Sequence, residues 1–183
     1  MTNPEVTLST EKVFQGKRIS VRVDRVRLTD GTESIRDIVE HPDAVVIAAV
    51  DDQRNLIFVR QYRKAPETEL LELPAGVIDP GEEPIVAAMR ELREETGYSA
   101  ERLEEIGSFY SAPGTMTEML YAYLASGLNV DPLPADEDER IEVERIAWPR
   151  ALEMARSGEI IDAKSLATLL LAESRVSEHF NLC

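Results

Sequence analysis

The chain has 183 residues, of which 43% are hydrophobic and 30% charged, the composition of a folded globular protein and not of a disordered chain. Asp and Glu (35) outnumber Lys and Arg (20), so the formal net charge is −15. A surface of that sign repels the phosphate backbone of nucleic acid, and a nucleic acid polymer is therefore excluded as an expected partner.

Cysteine usage and hydropathy indicate the compartment. The one cysteine, Cys183, is the last residue and cannot form a disulfide within the chain, which indicates a reducing environment. Residues 1–11 lack a basic segment followed by an apolar stretch, and no apolar run approaches the length of a membrane span. We therefore expect a cytoplasmic protein without a membrane partner.

The N-terminal part has the pattern of a small antiparallel β meander. Apolar residues alternate over 17–28 with a change of phase after Asp24, which predicts a half-buried strand with a bulge or short turn. A turn at Thr29-Asp30-Gly31 leads into a second extended segment. We predict a β subdomain over residues 1–41 ahead of a main domain over residues 42–183.

The main domain has a mixed α/β order. An apolar run at 44–50 and an alternating segment at 55–63 predict a buried strand and its hairpin partner. A short strand at 70–73, a loop rich in Pro and Gly and a helix at 82–96 follow, and Gly97 has the position of a left-handed C-cap. Later patterns predict strands near 103–109, 119–125 and 141–148 and helices at 149–156 and 163–172.

Acidic residues recur at fixed helical offsets in the segment that follows Gly76: Glu82, Glu91, Glu94 and Glu95. Glu91 and Glu95 are four residues apart and project from almost the same line of a helix, with Glu94 adjacent. Like charges at this spacing repel unless cations neutralise them, and clustered carboxylate oxygens suit Mg²⁺ or Mn²⁺. The alternative is a solvated helix whose acids pair with Arg90 and Arg93.

The spacing of this segment resembles the Nudix box, the signature of hydrolases of nucleoside diphosphates linked to another moiety. After Gly76 come five residues, Glu82, seven residues and the run Arg90-Glu91-Leu92-Arg93-Glu94-Glu95-Thr96-Gly97-Tyr98, which matches every specified position. The resemblance implies an α/β (α+β) fold with a mixed sheet sandwiched between helices. It also implies a loop-helix-loop that holds Mg²⁺ or Mn²⁺, with two or more ions per site.

Position within the box implies a role for each residue. Glu91 and Glu95 are expected to be the main metal ligands, Glu94 a further ligand or catalytic contact through water, and the Ala75 carbonyl a backbone ligand. Other residues are expected to be structural: Gly76, Glu82, Arg90 and Gly97. Arg90 would pair with a carboxylate and hold the loop against the helix.

Segments outside the box resemble the ADP-ribose pyrophosphatase subfamily: 34–40, 60–63, 72–76 and 109–118. Pro113 lies at about the distance past the box at which that subfamily has a proline, but Ala112 stands between Ser111 and Pro113 and departs from the pattern. In similar enzymes the first of these segments comes from a partner subunit. The resemblance therefore implies a homodimer with exchanged N-terminal strands.

The same resemblance implies which residues contact a small-molecule nucleoside diphosphate sugar. Arg36 and Arg63 would bind phosphate or stack on the base, and Glu72 would accept hydrogen bonds from the adenine or its ribose. Pro113 and Gly114 would form a substrate loop. Taken singly, an arginine or a Pro-Gly turn is more often structural.

An acidic loop at 135–142 matches the position of the loop that supplies a catalytic glutamate in this subfamily. Either Glu137 or Glu139 would then be the general base, and the alternative is a solvated run of charge. The expected reaction is hydrolysis of ADP-ribose to AMP and ribose 5-phosphate. Another nucleoside diphosphate sugar, such as GDP-mannose or ADP-glucose, is an alternative substrate, and a non-catalytic nucleotide sensor is an alternative function.

Overall fold

The computed structural model describes residues 4–134 and 140–179. Over this part of the chain, no helix is both long enough and apolar enough to cross a lipid bilayer. The chain forms two compact units: Met1–Asp43 with Tyr110–Met119, and Ala44–Phe109 with Leu120–Cys183.

The first unit contains a three-stranded antiparallel sheet in the order β1-β2-β3, as the prediction of an antiparallel N-terminal sheet requires. Its strands are β1 (Glu5–Gln15), β2 (Ser20–Leu28) and β3 (Glu33–Glu40). The bulges lie in β1, at Thr7/Ser9 and Lys12/Phe14, and not after Asp24 as predicted. The apparent change of phase in β2 arises because its buried face carries the polar residues Ser20 and Asp24.

The segment 110–119 joins the first unit through β3. Val39 donates its backbone N–H to the Thr115 carbonyl at 2.8 Å, and Thr117 donates to the Val39 carbonyl at 3.1 Å. Both Thr115 and Met116 donate to the carbonyl of Ala112, at 3.0 and 2.8 Å. The residue that departs from the subfamily pattern therefore supplies the acceptor that closes this turn.

The second unit is built on a mixed sheet with the strand order β10-β5-β4-β9-β8, in which β6 pairs with β5 and β7 with β4. Its strands are β4 (Ala44–Val50), β5 (Asn55–Arg63), β6 (Thr68–Glu72), β7 (Ala75–Val77), β8 (Tyr98–Tyr110), β9 (Met119–Val130) and β10 (Ile141–Ala147). Its helices are α1 (Pro84–Thr96), α2 (Trp148–Ser157) and α3 (Ala163–His179). Strand β4 is parallel to β9 and antiparallel to β5.

Strand β4 is buried on both faces, which explains its continuous apolar sequence. One face packs in a cluster with the α1 side: Val45, Ile47, Ala49, Ala88 and Leu92. The other face packs in a cluster with α2 and α3: Val46, Ala48, Val50, Ala151 and Leu169. The predicted fold class, a mixed sheet between helices, is therefore confirmed.

A proline and a glycine mark the two ends of helix α1. Pro84 occupies its first turn, so the helix begins two residues later than predicted. Gly97 has φ +76° and donates its N–H to the Arg93 carbonyl at 3.1 Å, which confirms the predicted C-cap. Strand β7 lies within the predicted loop, because its backbone pairs with β4 despite the adjacent Pro and Gly residues.

Candidate active site

The guanidinium of Arg90 contacts three carboxylates in and just before helix α1. It donates to both oxygens of Glu82, at 3.0 and 2.8 Å, and its Nη1 donates to Glu91 at 2.6 Å and to Glu94 at 3.0 Å. Its Nη2 also donates to the carbonyl of Val77 in β7 at 3.0 Å. Hydrogen bonds from Arg90 hold the pKa of Glu82 below its usual value. Arg90 therefore links helix, preceding loop and strand, as its predicted structural role describes.

Gly76 of strand β7 lies against the Glu91 side chain of helix α1. A Cβ atom on Gly76 would lie 1.9 Å from the carboxyl carbon of Glu91, so a larger residue would displace that side chain. One residue earlier, the Ala75 N–H donates to Glu95 Oε2 at 2.9 Å, and Glu95 is only 6% exposed. The fold thus brings Ala75 beside the glutamates that the box predicts as metal ligands.

The chemistry of these groups fits a hard divalent cation. The predicted donors are carboxylate oxygens of Glu91, Glu94 and Glu95 and the carbonyl oxygen of Ala75, which are ligands that Mg²⁺ and Mn²⁺ prefer. Among residues 4–134 and 140–179, no group of three or more His, Cys, Asp or Glu side chains is already arranged to hold an ion. The assignment of these four ligands stays a prediction.

A depression of about 470 Å³ opens beside the C-terminal half of α1. Its lining residues come from β5, β6, α1, β10 and the residue before β10: Arg60, Gln61, Tyr62, Glu69, Glu94, Glu95, Arg140, Ile141 and Glu142. Cationic Arg60 and Arg140 thus share a surface with two of the box glutamates. The sequence does not predict that either arginine lines this depression. Arg60 and Arg63 are three positions apart in β5, so strand alternation puts their side chains on opposite faces of the sheet.

Arg63 and Glu72, both predicted to bind substrate, form an ion pair with each other. Arg63 Nε and Nη2 donate to the two oxygens of Glu72 at 2.8 and 2.7 Å, and Lys164 Nζ also donates to Glu72. Burial of Glu72, which is 1% exposed, raises its pKa, but the bonds from Arg63 and the charge of Lys164 outweigh burial and leave the pKa below its usual value. Their contacts with substrate stay a prediction.

The remaining predicted substrate residues belong to the first unit. Arg36 donates through Nε and Nη2 to the carboxylate of Glu5, at 3.1 and 2.5 Å, and through Nη1 to Ser34 Oγ at 2.9 Å. Pro113 and Gly114 lie in the turn closed by the Ala112 carbonyl. Their roles toward substrate stay predictions.

The two candidate general bases, Glu137 and Glu139, lie outside the described residues. Arg140, which follows them, is described and exposed.

Comparison with known proteins identifies the family. Residues 40–169 match the model of the NUDIX domain. The chain belongs to the Nudix family. Residues 5–39 also match the model described as the nucleoside diphosphate sugar hydrolase N-terminal domain. The family resemblance carried by the box is therefore confirmed, and with it the prediction of a hydrolase.

Three curated relatives of this Nudix protein differ in the activity that their names give. An ADP-ribose pyrophosphatase of Bacillus subtilis (strain 168) is 43% identical, over 88% of each chain. A methanol dehydrogenase activator of Bacillus methanolicus is 39% identical, over 88% of this chain and 89% of the other. A GDP-mannose pyrophosphatase of Salmonella arizonae (strain ATCC BAA-731 / CDC346-86 / RSK2980) is 30% identical, over 90% and 93% of the two chains.

A solved structure supports the fold. The chain of a crystal structure described as an ADP compounds hydrolase aligns with a TM-score of 0.88, covering 97% of this Nudix protein and 96% of that chain. The sequences are 24% identical, so the comparison bears on the fold alone.

Proposed function

We propose that this protein is a Mg²⁺- or Mn²⁺-dependent pyrophosphatase that hydrolyses ADP-ribose to AMP and ribose 5-phosphate. The observation that carries the proposal is the complete Nudix box, folded so that Arg90 gathers Glu82, Glu91 and Glu94 while Ala75 contacts Glu95. The relative that is 43% identical over 88% of the chain and is named ADP-ribose pyrophosphatase supports the substrate.

Glu91, Glu95 and the Ala75 carbonyl would hold the metal ions, with Glu94 as a further or water-mediated contact. When bound, such ions make water more acidic and offset the negative charge of the diphosphate. They also make the site locally positive within a chain whose formal net charge is −15.

The protein's own groups would position the substrate and move the proton. Arg60 and Arg140, which line the depression with Glu94 and Glu95, would bind phosphate oxygens, because a guanidinium can donate two parallel hydrogen bonds to them. Arg63 and Glu72 remain proposed for the nucleoside end. Either Glu137 or Glu139 would accept the proton of the attacking water.

A cytoplasmic homodimer is part of the proposal. The match of residues 5–39 to the nucleoside diphosphate sugar hydrolase N-terminal domain supports a role for this segment in binding the substrate. Arg36 would reach the substrate of the partner subunit, and Pro113 and Gly114 would contribute to a substrate loop.

A second substrate, GDP-mannose, is favoured by one observation, the relative of that name that is 30% identical over 90% of the chain. Pocket contacts set the choice between the two, since the box does not encode the base or the sugar.

A panel of substrates tests the proposal. The protein would be assayed with Mg²⁺ or Mn²⁺ against ADP-ribose, GDP-mannose, ADP-glucose, NADH and diadenosine polyphosphates, with phosphate measured after phosphatase treatment. We expect the highest kcat/KM with ADP-ribose and complete loss of turnover with EDTA. A tenfold or greater preference for another compound would overturn the substrate assignment, and turnover in EDTA would overturn the metal dependence.

A further inference from the structure

We infer that Lys164 and Ser165, at the start of α3, are positioning residues for the metal site. They would act by fixing the backbone that leads into Ala75, and the inference rests on the proposed function for the site itself. Neither residue belongs to the box, and both lie about 90 positions along the chain from the strand segment that they contact: the separation is 92 residues for both Lys164–Glu72 and Ser165–Leu73.

The first contact is ionic. Lys164 Nζ donates to Glu72, the last residue of β6, and lies 3.0 Å from Asp162 Oδ2. Its side chain is 17% exposed and that of Glu72 is 1% exposed, so water screens the pair weakly. With Arg63 on both oxygens of Glu72, this carboxylate is held from two sides.

The second contact is a hydrogen bond to the backbone of the adjacent residue. Leu73 donates its N–H to Ser165 Oγ at 2.7 Å, and Ser165 Oγ donates to Asp162 Oδ2 at 2.5 Å. Asp162 also accepts the Ser165 N–H at 3.0 Å, which caps α3. Because the Ser165 hydroxyl donates its hydrogen bond to Asp162, its oxygen lone pairs are left to accept the Leu73 N–H.

These contacts lead directly into the metal site. Leu73 precedes Pro74, whose carbonyl accepts the N–H of Ile47 in the buried strand β4 at 2.8 Å. Ala75 follows and donates to Glu95 at 2.9 Å. The backbone from Glu72 to Ala75 is therefore fixed at each of its four residues: α3 contacts Glu72 and Leu73, β4 contacts Pro74, and α1 contacts Ala75. A shift of the peptide at Leu73 would move the Ala75 carbonyl relative to Glu95.

A general stabilising role explains these contacts less well. A buried ion pair is seldom more stabilising than apolar residues of the same volume, because removing two charges from water is costly. Here the charged pair and the Ser165 hydrogen bond converge on two consecutive residues, Glu72 and Leu73, which lie three and two positions before the proposed ligand Ala75. Groups bonded directly to a metal ligand commonly change metal affinity about 10–100-fold when removed. Because Lys164 and Ser165 act through the backbone that precedes Ala75, we expect the lower end of that range.

Two variants test the inference without depending on turnover. Lys164→Met removes the ionic contact, and Ser165→Ala removes a single oxygen and keeps every charge. Lys64→Met is the matched control, because it removes a lysine from the exposed ion pair with Glu67. Binding of Mn²⁺ to the full chain without substrate would be followed by the electron paramagnetic resonance signal of the free ion, with melting curves to establish folding.

We expect the dissociation constant for Mn²⁺ to rise about tenfold or more in both folded variants and to stay at the wild-type value in Lys64→Met. Excess Mn²⁺ should restore turnover, which a loss of folded protein would not allow. If Lys164→Met fails to fold, Ser165→Ala alone decides. Wild-type Mn²⁺ affinity in folded Ser165→Ala overturns the inference. If the wild-type protein itself binds no Mn²⁺, the proposed metal-dependent function is overturned, and the inference falls with it.

Discussion

Replacement of Gly76 by alanine should separate activity from folding. The added Cβ would lie 1.9 Å from the carboxyl carbon of Glu91 and 2.1 and 2.2 Å from its oxygens. Since carbon atoms in contact normally lie about 3.5–4 Å apart, the carboxyl group must move by about 2 Å. Metal–ligand distances tolerate only about 0.2 Å, so Glu91 would no longer act as a ligand.

The cost to stability should be small. Gly76 is not among the glycines with a positive φ, so alanine fits the backbone and reduces the entropy of the unfolded chain by about 0.4–1 kcal/mol. The hydrogen bond from Arg90 to Glu91 would be lost. A bond to a charged group is worth about 1.5–3 kcal/mol, and the lower end applies because the Arg90 side chain is 25% exposed. The net loss is about 1 kcal/mol, or about 2–4 °C in Tm.

Turnover and Mn²⁺ affinity of Gly76→Ala, measured beside its melting curve, check this reasoning. We expect turnover to fall at least about 100-fold, the effect typical of a misplacement of about 1 Å in an active site. Gly158→Ala is the control. Gly158 has φ +81°, and a Cβ added there would meet no described atom within 4 Å. Gly158→Ala should therefore lower the Tm by a similar amount, through about 1–2 kcal/mol of backbone strain, and should keep its activity. Wild-type Mn²⁺ affinity in Gly76→Ala would refute the role of Glu91.

Three further predictions concern Glu95, Glu72 and the oligomeric state. Glu95→Gln keeps an oxygen that can accept the Ala75 N–H and should stay folded while turnover falls about 100-fold or more. Wild-type rates in this variant would exclude Glu95 as a metal ligand. Glu153→Gln, which changes a glutamate in the exposed ion pair with Arg150, is the control. The pKa of Glu72 lies below its ordinary value of 4.5, so its stabilisation is present above pH 4.5 and is lost as the pH falls through the lowered pKa. Glu72→Gln should be less stable at pH 7, and its difference from wild type in urea unfolding should shrink below pH 4.5; a constant difference would contradict the assignment. Sedimentation at micromolar concentration should give a dimer, whereas a monomer would end the shared-site role of Arg36.

The sequence predicts best where one local pattern decides the structure. The apolar run of β4, the amphipathic spacing of α1 and the glycine at its end depend on neighbours within a few residues, and the sequence locates each to within about two positions. Strand β1 has no such pattern, because nearly all of its residues are exposed. Strand β7 is hidden by Pro74 and Gly76, since these residues usually mark loops.

The ion pairs of the candidate site that join distant parts of the chain are beyond prediction for a physical reason. Hydropathy and spacing report which face of an element is buried, but they do not reveal which distant charges meet. The subfamily resemblance implies that Glu72 binds substrate, but nothing in the sequence indicates that its carboxylate also contacts Arg63 and Lys164. The box itself is predictable because its spacing encodes a complete local unit.

The central position of β4 bears on how the proposed metal site behaves when no ion is bound. This strand pairs with β5, β7 and β9 and is buried on both faces, so its amides should exchange with solvent only through global unfolding. Strand β7 carries Ala75 and Gly76 and is bonded directly to it. The part of the proposed metal site that lies on β7 should therefore share the slow amide exchange of the core. It should stay folded in chelator, so that an ion could bind again without refolding.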